Sequence, residues 1–499
     1  MTRTEGLKTE FKAILRVREA YRRCAALMDY DAMTCAPAGS AAGAARTRAI
    51  LAAEEHKLVS GGEYAELLSG LLARREELDE ITLREAEEER KALDRLRRVP
   101  AELWAEHRRI TGEASAAWRE AKLKNDYSLF APKLEAVFSS ARRVALAAAP
   151  GEDPYAYWLD SNEEGMTEER LDGFFSLIKR ELVPLIERIS KKQKPDDSFL
   201  HLRYPKEEQK RFSREVMHLM GIDPDRCTLA EAEHPYTTFI SRSDVRMTTH
   251  YYEHFVTANM FSILHEGGHA LYELGVSPEL DGSPLAHGAS AGMHESQSRL
   301  YENLIGRSEA FSKLIFPILA ETFPEQLRGV TREEFFRAVN RVEPTLKRTE
   351  ADELTYCLHV IIRYEMERAL IRGELSAAEA PDRWRKLCGE YLGVDVPSDR
   401  EGILQDMHWG SGLIGYFPTY ALGNAYGAQI YAALRRSLDA DSLIEAGRIP
   451  EVTAWLAERV HCRGKLDSPR GLILRACGEE PDPKIYIDFL KEKYTRLYS

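Results

Sequence analysis

The sequence has little with which to staple or anchor itself. Its seven cysteines (Cys24, Cys35, Cys227, Cys357, Cys388, Cys462 and Cys477) are odd in number, widely spaced and never in a C-x-x-C pair. That pattern argues against a disulfide framework and a thiolate zinc site and points to a reducing compartment. No run approaches the roughly 18 apolar residues that a membrane span needs. Met1 to Leu15 alternates charged and apolar residues where a secretory signal would carry an apolar core, so the expected location is cytoplasmic. A basic surplus is missing as well. The net charge is -12, which disfavours nucleic acid and anionic membrane as partners. There is no internal repeat and no long Gly/Ser/Pro linker, and the polar stretch Pro195 to Ser198 is too short to separate domains. The 499 residues therefore read as one unit, with a 44% hydrophobic, 30% charged composition that suits a large globular core.

What the chain does have is helical period. Met1 to Asp29, Ala41 to Leu58, Ile81 to Arg98, Pro100 to Lys124 and Ser128 to Ala149 place apolar residues three and four apart. The same holds for Thr167 to Lys192, Lys206 to Met220, Phe255 to Leu274, Gly292 to Arg307 and most of the chain after Arg332. The dense alternating charge of Glu76 to Arg98 reads as a solvated helix face. One region breaks the period: Tyr236 to Ile240 and Val245 to Tyr251, rich in Thr, Tyr, Phe, Ile and Val, predict a short hairpin. The expected class is all-α, mainly helical, with a small β hairpin or sheet near the site described next.

His265, Glu266 and His269 form an H-E-x-x-H sequence. Residues four apart on a helix share a face, so two imidazoles there can meet one zinc at about 2.0–2.1 Å. Glu266, directly after the first histidine, can turn toward the metal's water and act as general base. A catalytic zinc takes three protein ligands and keeps a fourth position open. Glu295 is the carboxylate assigned as the third. His294 competes for that role, but neighbours on a helix point about 100° apart, so only one of the two faces the metal. Glu302 can hydrogen-bond a ligand imidazole, or be an ordinary surface glutamate. Gly267 and Gly268 cost the helix about 1 kcal/mol each relative to alanine, which suggests room kept for substrate or for a packed neighbour.

Further segments fall into a recognisable order. Tyr30-Asp31 to Pro37 is similar to W-D-x-x-T-x-M-P, and Asp160 to Thr167 to D-x-x-E-x-G-M-T. His234-Pro235-Tyr236 is similar to H-P-F, and Asp244 to Thr248 to D-x-R-x-T. His294 to Gln297 carries H-E-S-Q, and Arg348 to Asp352 fits R-x-x-A-D. His408-Trp409 to Tyr420, followed by Tyr426 to Gln429, completes the set. Across essentially its whole length the chain resembles the thermostable carboxypeptidase, or carboxypeptidase Taq, family of metallocarboxypeptidases. Tyr30, Ala36, Tyr236, Gly267, Lys347 and Gly410 depart from the family pattern without removing a metal ligand or the base.

The resemblance implies an elongated, mainly helical single domain over residues 1–499 with a deep cleft, which an N-terminal helical part of about residues 1–150 covers. It implies one divalent metal per chain, Zn2+ or Co2+, and a homodimer. The substrates would be peptides with a free C-terminus, shortened one residue at a time with broad preference. Residue by residue, His265, His269 and Glu295 would bind metal and Glu266 would be the acid/base. Arg348 would receive the terminal carboxylate, with His234, Arg246, His408, Tyr420, Tyr426 and Gln429 along the cleft. Tyr420, Tyr416 and His408 are equal candidates for the oxyanion donor. Without the resemblance, Arg348 would read as a helix-surface arginine paired with Glu350 or Asp352. Two other functions stay open at this level: an oligopeptidase cutting internal bonds, and a helical binding protein with an inert metal site, against which Glu266 stands.

Overall fold

The computed structural model describes residues 2–499, so Met1, where the first helix was expected to start, lies outside the described residues. Among those residues twenty α-helices surround one three-stranded sheet. The expected helices are present, at Arg3–Thr34, Ala41–Ser60, Glu80–Arg98, Ala101–Lys124, Ala131–Ala148, Glu168–Ile189, Lys206–Leu219, Val256–Leu274 and Ala291–Arg299. The last is shorter than its apolar period suggested, because from Leu300 to Ile305 the chain widens into a π-helical turn. No helix of the described residues is long and apolar enough to cross a membrane.

The hairpin gains a strand. Strands β1 (Cys227–Glu231), β2 (Thr237–Ser241) and β3 (Asp244–Thr249) pair in the order β1-β3-β2, with β2 antiparallel and β1 parallel to β3. β1 escaped the sequence reading because Cys-Thr-Leu-Ala-Glu has neither strict alternation nor β-branched density. Val245 and Met247 point from β3 into the core at 0% exposure. The sheet packs against Val256–Leu274, where Asn259 donates to Thr249 Oγ1 at 3.1 Å and accepts from Ser213 Oγ at 2.8 Å. A helix buried nearly all round is a core helix; fifteen of the nineteen residues in Val256–Leu274 are buried.

One reading of the sequence holds only in part. The charge-dense stretch Glu76 to Arg98 keeps a solvated face, with Glu76, Glu80, Arg97 and Arg98 exposed, but Thr82, Glu85 and Glu89 are buried, and Glu89 accepts from Tyr64 Oη at 2.8 Å and pairs with Arg18. Phe11, Leu15, Tyr64, Leu68, Leu71, Ala86 and Leu93 form a small core separate from the main one. Ala101–Lys124 and Ala131–Ala148 contribute to the main core instead.

Candidate metal centre and peptide cleft

Helix spacing comes first, because it decides whether the side chains can meet. A Cβ on Gly268 would lie 2.5 Å from the Gln297 carbonyl oxygen, and one on Gly423 would lie 2.6 Å from Glu295 Cγ. Glycine at these positions lets Ala291–Arg299 sink between Val256–Leu274 and Phe417–Ser437. The cost of glycine inside the first helix is thus the cost of a packed neighbour. Ser290 caps the sunken helix by accepting from Met293 N, which fixes where Glu295 starts.

The consequence is a convergence of three donors. Glu295 Oε2 stands 3.6 Å from His265 Nε2 and 3.6 Å from His269 Nε2. These ligand atoms all lie within 4.8 Å of one another. Bond lengths of about 2.0–2.2 Å at a tetrahedral cation put ligand atoms about 3.3 Å apart, so the observed spacing suits one cation. Glu295's other oxygen is engaged, since Arg299 Nε donates to Oε1 at 2.7 Å. Glu266 shares the chamber, its Oε2 accepting from Thr237 Oγ1 at 2.6 Å. Burial raises the Glu266 carboxyl, partly offset by His265 and the Thr237 hydrogen bond.

Hydrogen bonds behind the histidines select their tautomers. Glu302 Oε2 lies 2.8 Å from His265 Nδ1. Burial alone would raise the Glu302 carboxyl, but Arg299 and His265 outweigh it and hold it at about 2. An ionised acceptor at Nδ1 requires a proton there, so Nε2 is the nitrogen that would give up its proton to a cation. His269 reaches the same state in two steps. Its Nδ1 lies 2.6 Å from His294 Nδ1, and His294 Nε2 lies 2.8 Å from Glu273 Oε1. Glu273 is held at about 2, its burial overcome by His287 and His294. It therefore takes the Nε2–H of His294, whose Nδ1 then accepts from His269. His294, the competing candidate, stands outside the three-donor convergence, between His269 Nδ1 and Glu273. Burial alone would lower His265, but Glu295 and Glu302 raise it to about 9. Positive charge is favoured at that spot, as it would be for a bound cation.

Two chambers meet at this centre. One, of about 850 Å³, holds His265, Glu266, His269 and Glu295 with Tyr416 and Tyr420. The other, of about 510 Å³, shares Pro235, His265 and Glu266 with it and reaches Arg348. Arg348 is buried, and its partner is neither Glu350 nor Asp352. Nε and Nη2 donate to Asp406 Oδ1 at 3.2 and 3.0 Å, and Nη1 donates to Tyr356 Oη at 3.0 Å. A guanidinium has five N–H donors, so two remain, one on each terminal nitrogen.

The other expected cleft residues are not all gathered here. Tyr420 lines the first chamber, with His408 Nε2 3.2 Å from its hydroxyl; His408 sits behind it. Arg246 lies outside both linings, bidentate to Asp244 at 2.9 Å and 5.1 Å over the Tyr30 ring. His234 is exposed beside the lining residues Pro235, Tyr236 and Thr237. Buried Tyr426 stands against Glu163, and Gln429 clasps the C-terminal loop through Glu480 O and Asp482 N, each at 2.8 Å. The last two hold the fold where the resemblance placed them along the cleft. Thr237, Glu273, Arg299 and Tyr356 were missed. Only Arg299 carried a signal, four residues after Glu295 on one helix.

The geometry agrees with what the chain is similar to. A family profile described as "Carboxypeptidase Taq (M32) metallopeptidase" matches residues 10–494. The sequence is 38% identical over 491 residues to carboxypeptidase 1 of Bacillus subtilis (strain 168), with 98% of each chain covered. It is 38% identical over 487 residues to thermostable carboxypeptidase 1 of Thermus thermophilus, with 95% of each covered. The fold matches the crystal structure of the M32 carboxypeptidase from Deinococcus radiodurans R1 with a TM-score of 0.96, at 36% identity and 99% coverage of both chains. With its helices, its sheet and its two-histidine, one-glutamate centre inside a match that runs nearly end to end, the chain belongs to the carboxypeptidase Taq (M32) family of metallopeptidases.

Proposed function

We propose that this metallocarboxypeptidase holds one zinc ion on His265, His269 and Glu295, with cobalt as a working substitute, and trims peptides by single residues with broad preference. The observation that carries the reading is the pair of 3.6 Å separations from Glu295 to two imidazoles whose Nε2 atoms face it while their Nδ1 atoms are engaged elsewhere. Bound there, a divalent cation supplies Lewis-acid polarisation of the scissile carbonyl and lowers the pKa of water from about 15.7 toward 7.

The protein's own groups do the rest. Glu266, steadied by Thr237, takes the proton of the attacking water and returns it to the leaving amine. Tyr416 and Tyr420 face the chamber as protonated donors, since burial raises both hydroxyls, Tyr416 to about 12. Burial pushes His408 down to about 4, so it is neutral. Its Nε2, 3.2 Å from the Tyr420 hydroxyl, holds that group at the chamber wall, where Tyr416 or Tyr420 donates to the developing oxyanion. At the far side of Glu266, the two spare N–H groups of Arg348, one on each terminal nitrogen, are left for a terminal carboxylate. Asp406 occupies the side-on fork and sets its orientation.

The N-terminal helical part, about residues 1–150, covers the cleft, as Arg84, Lys91 and Arg95 in the chamber lining support. A cytoplasmic location suits seven free cysteines, and the homodimer is checked by sedimentation. The deciding experiment for the activity is amidation of the peptide's C-terminus. Cleavage should stop, because Arg348 loses its ionic partner. Undiminished cleavage of amidated peptides, at internal bonds, would make the enzyme an oligopeptidase.

A further inference from the structure

Four Lys and Arg side chains line the metal chamber: Arg84, Lys91, Arg95 and Lys465. Three are answered by carboxylates. Arg84 meets Glu88 at 3.1 Å and Glu164 at 3.2 Å, Lys91 meets Glu164 at 2.8 Å, and Arg95 meets Asp160 at 2.6 Å. Lys465 has no such partner among the described residues: Glu88, Glu273 and Glu164 act on it only through space. Burial lowers its pKa despite them.

The placement of Lys465 is fixed by its backbone. Gly464 adopts φ of +49°, where a Cβ would run into the Leu285 carbonyl, and Lys465 N donates to that same carbonyl at 2.9 Å. The glycine-dependent turn and the hydrogen bond to the distant Leu285 segment fix the Lys465 backbone at the chamber wall, and its side chain lines the chamber. A half-buried charge without an ion-pair partner is available to one from outside the protein.

The chamber geometry says which part of the substrate that is. Resting on the reading above, a peptide has its terminal carboxylate on Arg348 and its scissile bond at His265 and Glu266. Those two residues are shared by both chambers, so the chain upstream of the bond enters the chamber that holds Lys465. We infer that Lys465 is a specificity residue that pairs with an aspartate or glutamate side chain of the peptide upstream of the scissile bond.

The test uses peptides with identical C-terminal dipeptides and either Glu or Gln at one upstream position, scanned in turn, on the metal-loaded enzyme. At one position the wild type should favour Glu over Gln about tenfold in kcat/KM, with the ratio falling as salt rises. Lys465→Met should bring the ratio to about one and Lys465→Arg should keep it. The same ratio should appear in Kd, measured by calorimetry on Glu266→Gln protein. Because each ratio is taken within one preparation, a partly unfolded variant does not alter it. A ratio of one at every position in the wild type, or a preference that survives Lys465→Met, overturns the inference. Amidated copies of the peptides separate the two readings: their cleavage would sink the assignment of Arg348, whatever the Glu/Gln ratio.

Discussion

Thr237 lies on a strand and Glu266 on the helix behind it, and the 2.6 Å hydrogen bond between them joins the sheet to the Glu266 carboxylate. Glu266→Gln keeps the size and loses the proton acceptor. It should lower kcat by about 10²–10⁴-fold, while elemental analysis still finds one metal per chain. Arg348→Lys keeps the charge but not the fork. It should cut kcat/KM about ten- to a hundredfold, mainly through KM, as steady-state kinetics on an unblocked dipeptide will read. At this scale the sequence was legible where spacing alone sets geometry. His265 and His269 share a face because they are four apart, and Glu295 and His294 cannot both face the metal because they are adjacent. It was silent where geometry comes from tertiary packing. Nothing about Glu273 announces that it fixes a tautomer two histidines away, and Tyr426 and Gln429 look no different on a helix whether they meet a substrate or a neighbouring loop.

Among elements, the decisive contact is that of Ala291–Arg299 with its two neighbours, made possible by Gly268 and Gly423. Gly268→Ala drives a methyl group against backbone, 2.5 Å from the Gln297 carbonyl oxygen. It should lower stability by about 1–3 kcal/mol and weaken metal binding by displacing Glu295. Gly173, inside Glu168–Ile189, would meet nothing within 4 Å. Gly173→Ala should therefore raise stability, by about 0.5–1 kcal/mol. Thermal unfolding of the pair compares the two signs. The helices themselves were readable from apolar period. The π-helical turn at Leu300–Ile305 and strand β1 were not, since both depend on what packs beside them. Glu85 and Glu89 within the charge-dense stretch misled for the same reason: a buried ion pair and a solvated one have the same letters.

At the scale of the whole molecule, acid stability depends on a buried charge cluster beneath the cleft. Asp406 accepts from Arg363 Nε at 2.7 Å and from Arg348 Nη2 at 3.0 Å. Burial alone would raise its carboxyl, but Arg363 and Arg348 outweigh that and hold it well below the usual carboxylate range. A folded-state pKa below the unfolded one means that the stabilisation is complete above about pH 4 and is lost as pH falls through lower values. Asp406→Asn should cost about 3–5 kcal/mol at pH 7, with the gap from wild type narrowing below about pH 4 in denaturation curves. Metal acts on the whole molecule too. A chelator should abolish hydrolysis and lower the melting temperature, and zinc or cobalt should restore both, because a ligand of the folded state alone stabilises it by mass action.

Anomalous diffraction at the zinc edge, from crystals of the zinc-loaded enzyme, bears most directly on the claim that three side chains make one catalytic centre. One strong peak per chain, bounded by His265 Nε2, His269 Nε2 and the Glu295 carboxylate, is the predicted result. A peak bound elsewhere, with Glu295 turned away from the two imidazoles in active protein, would contradict it.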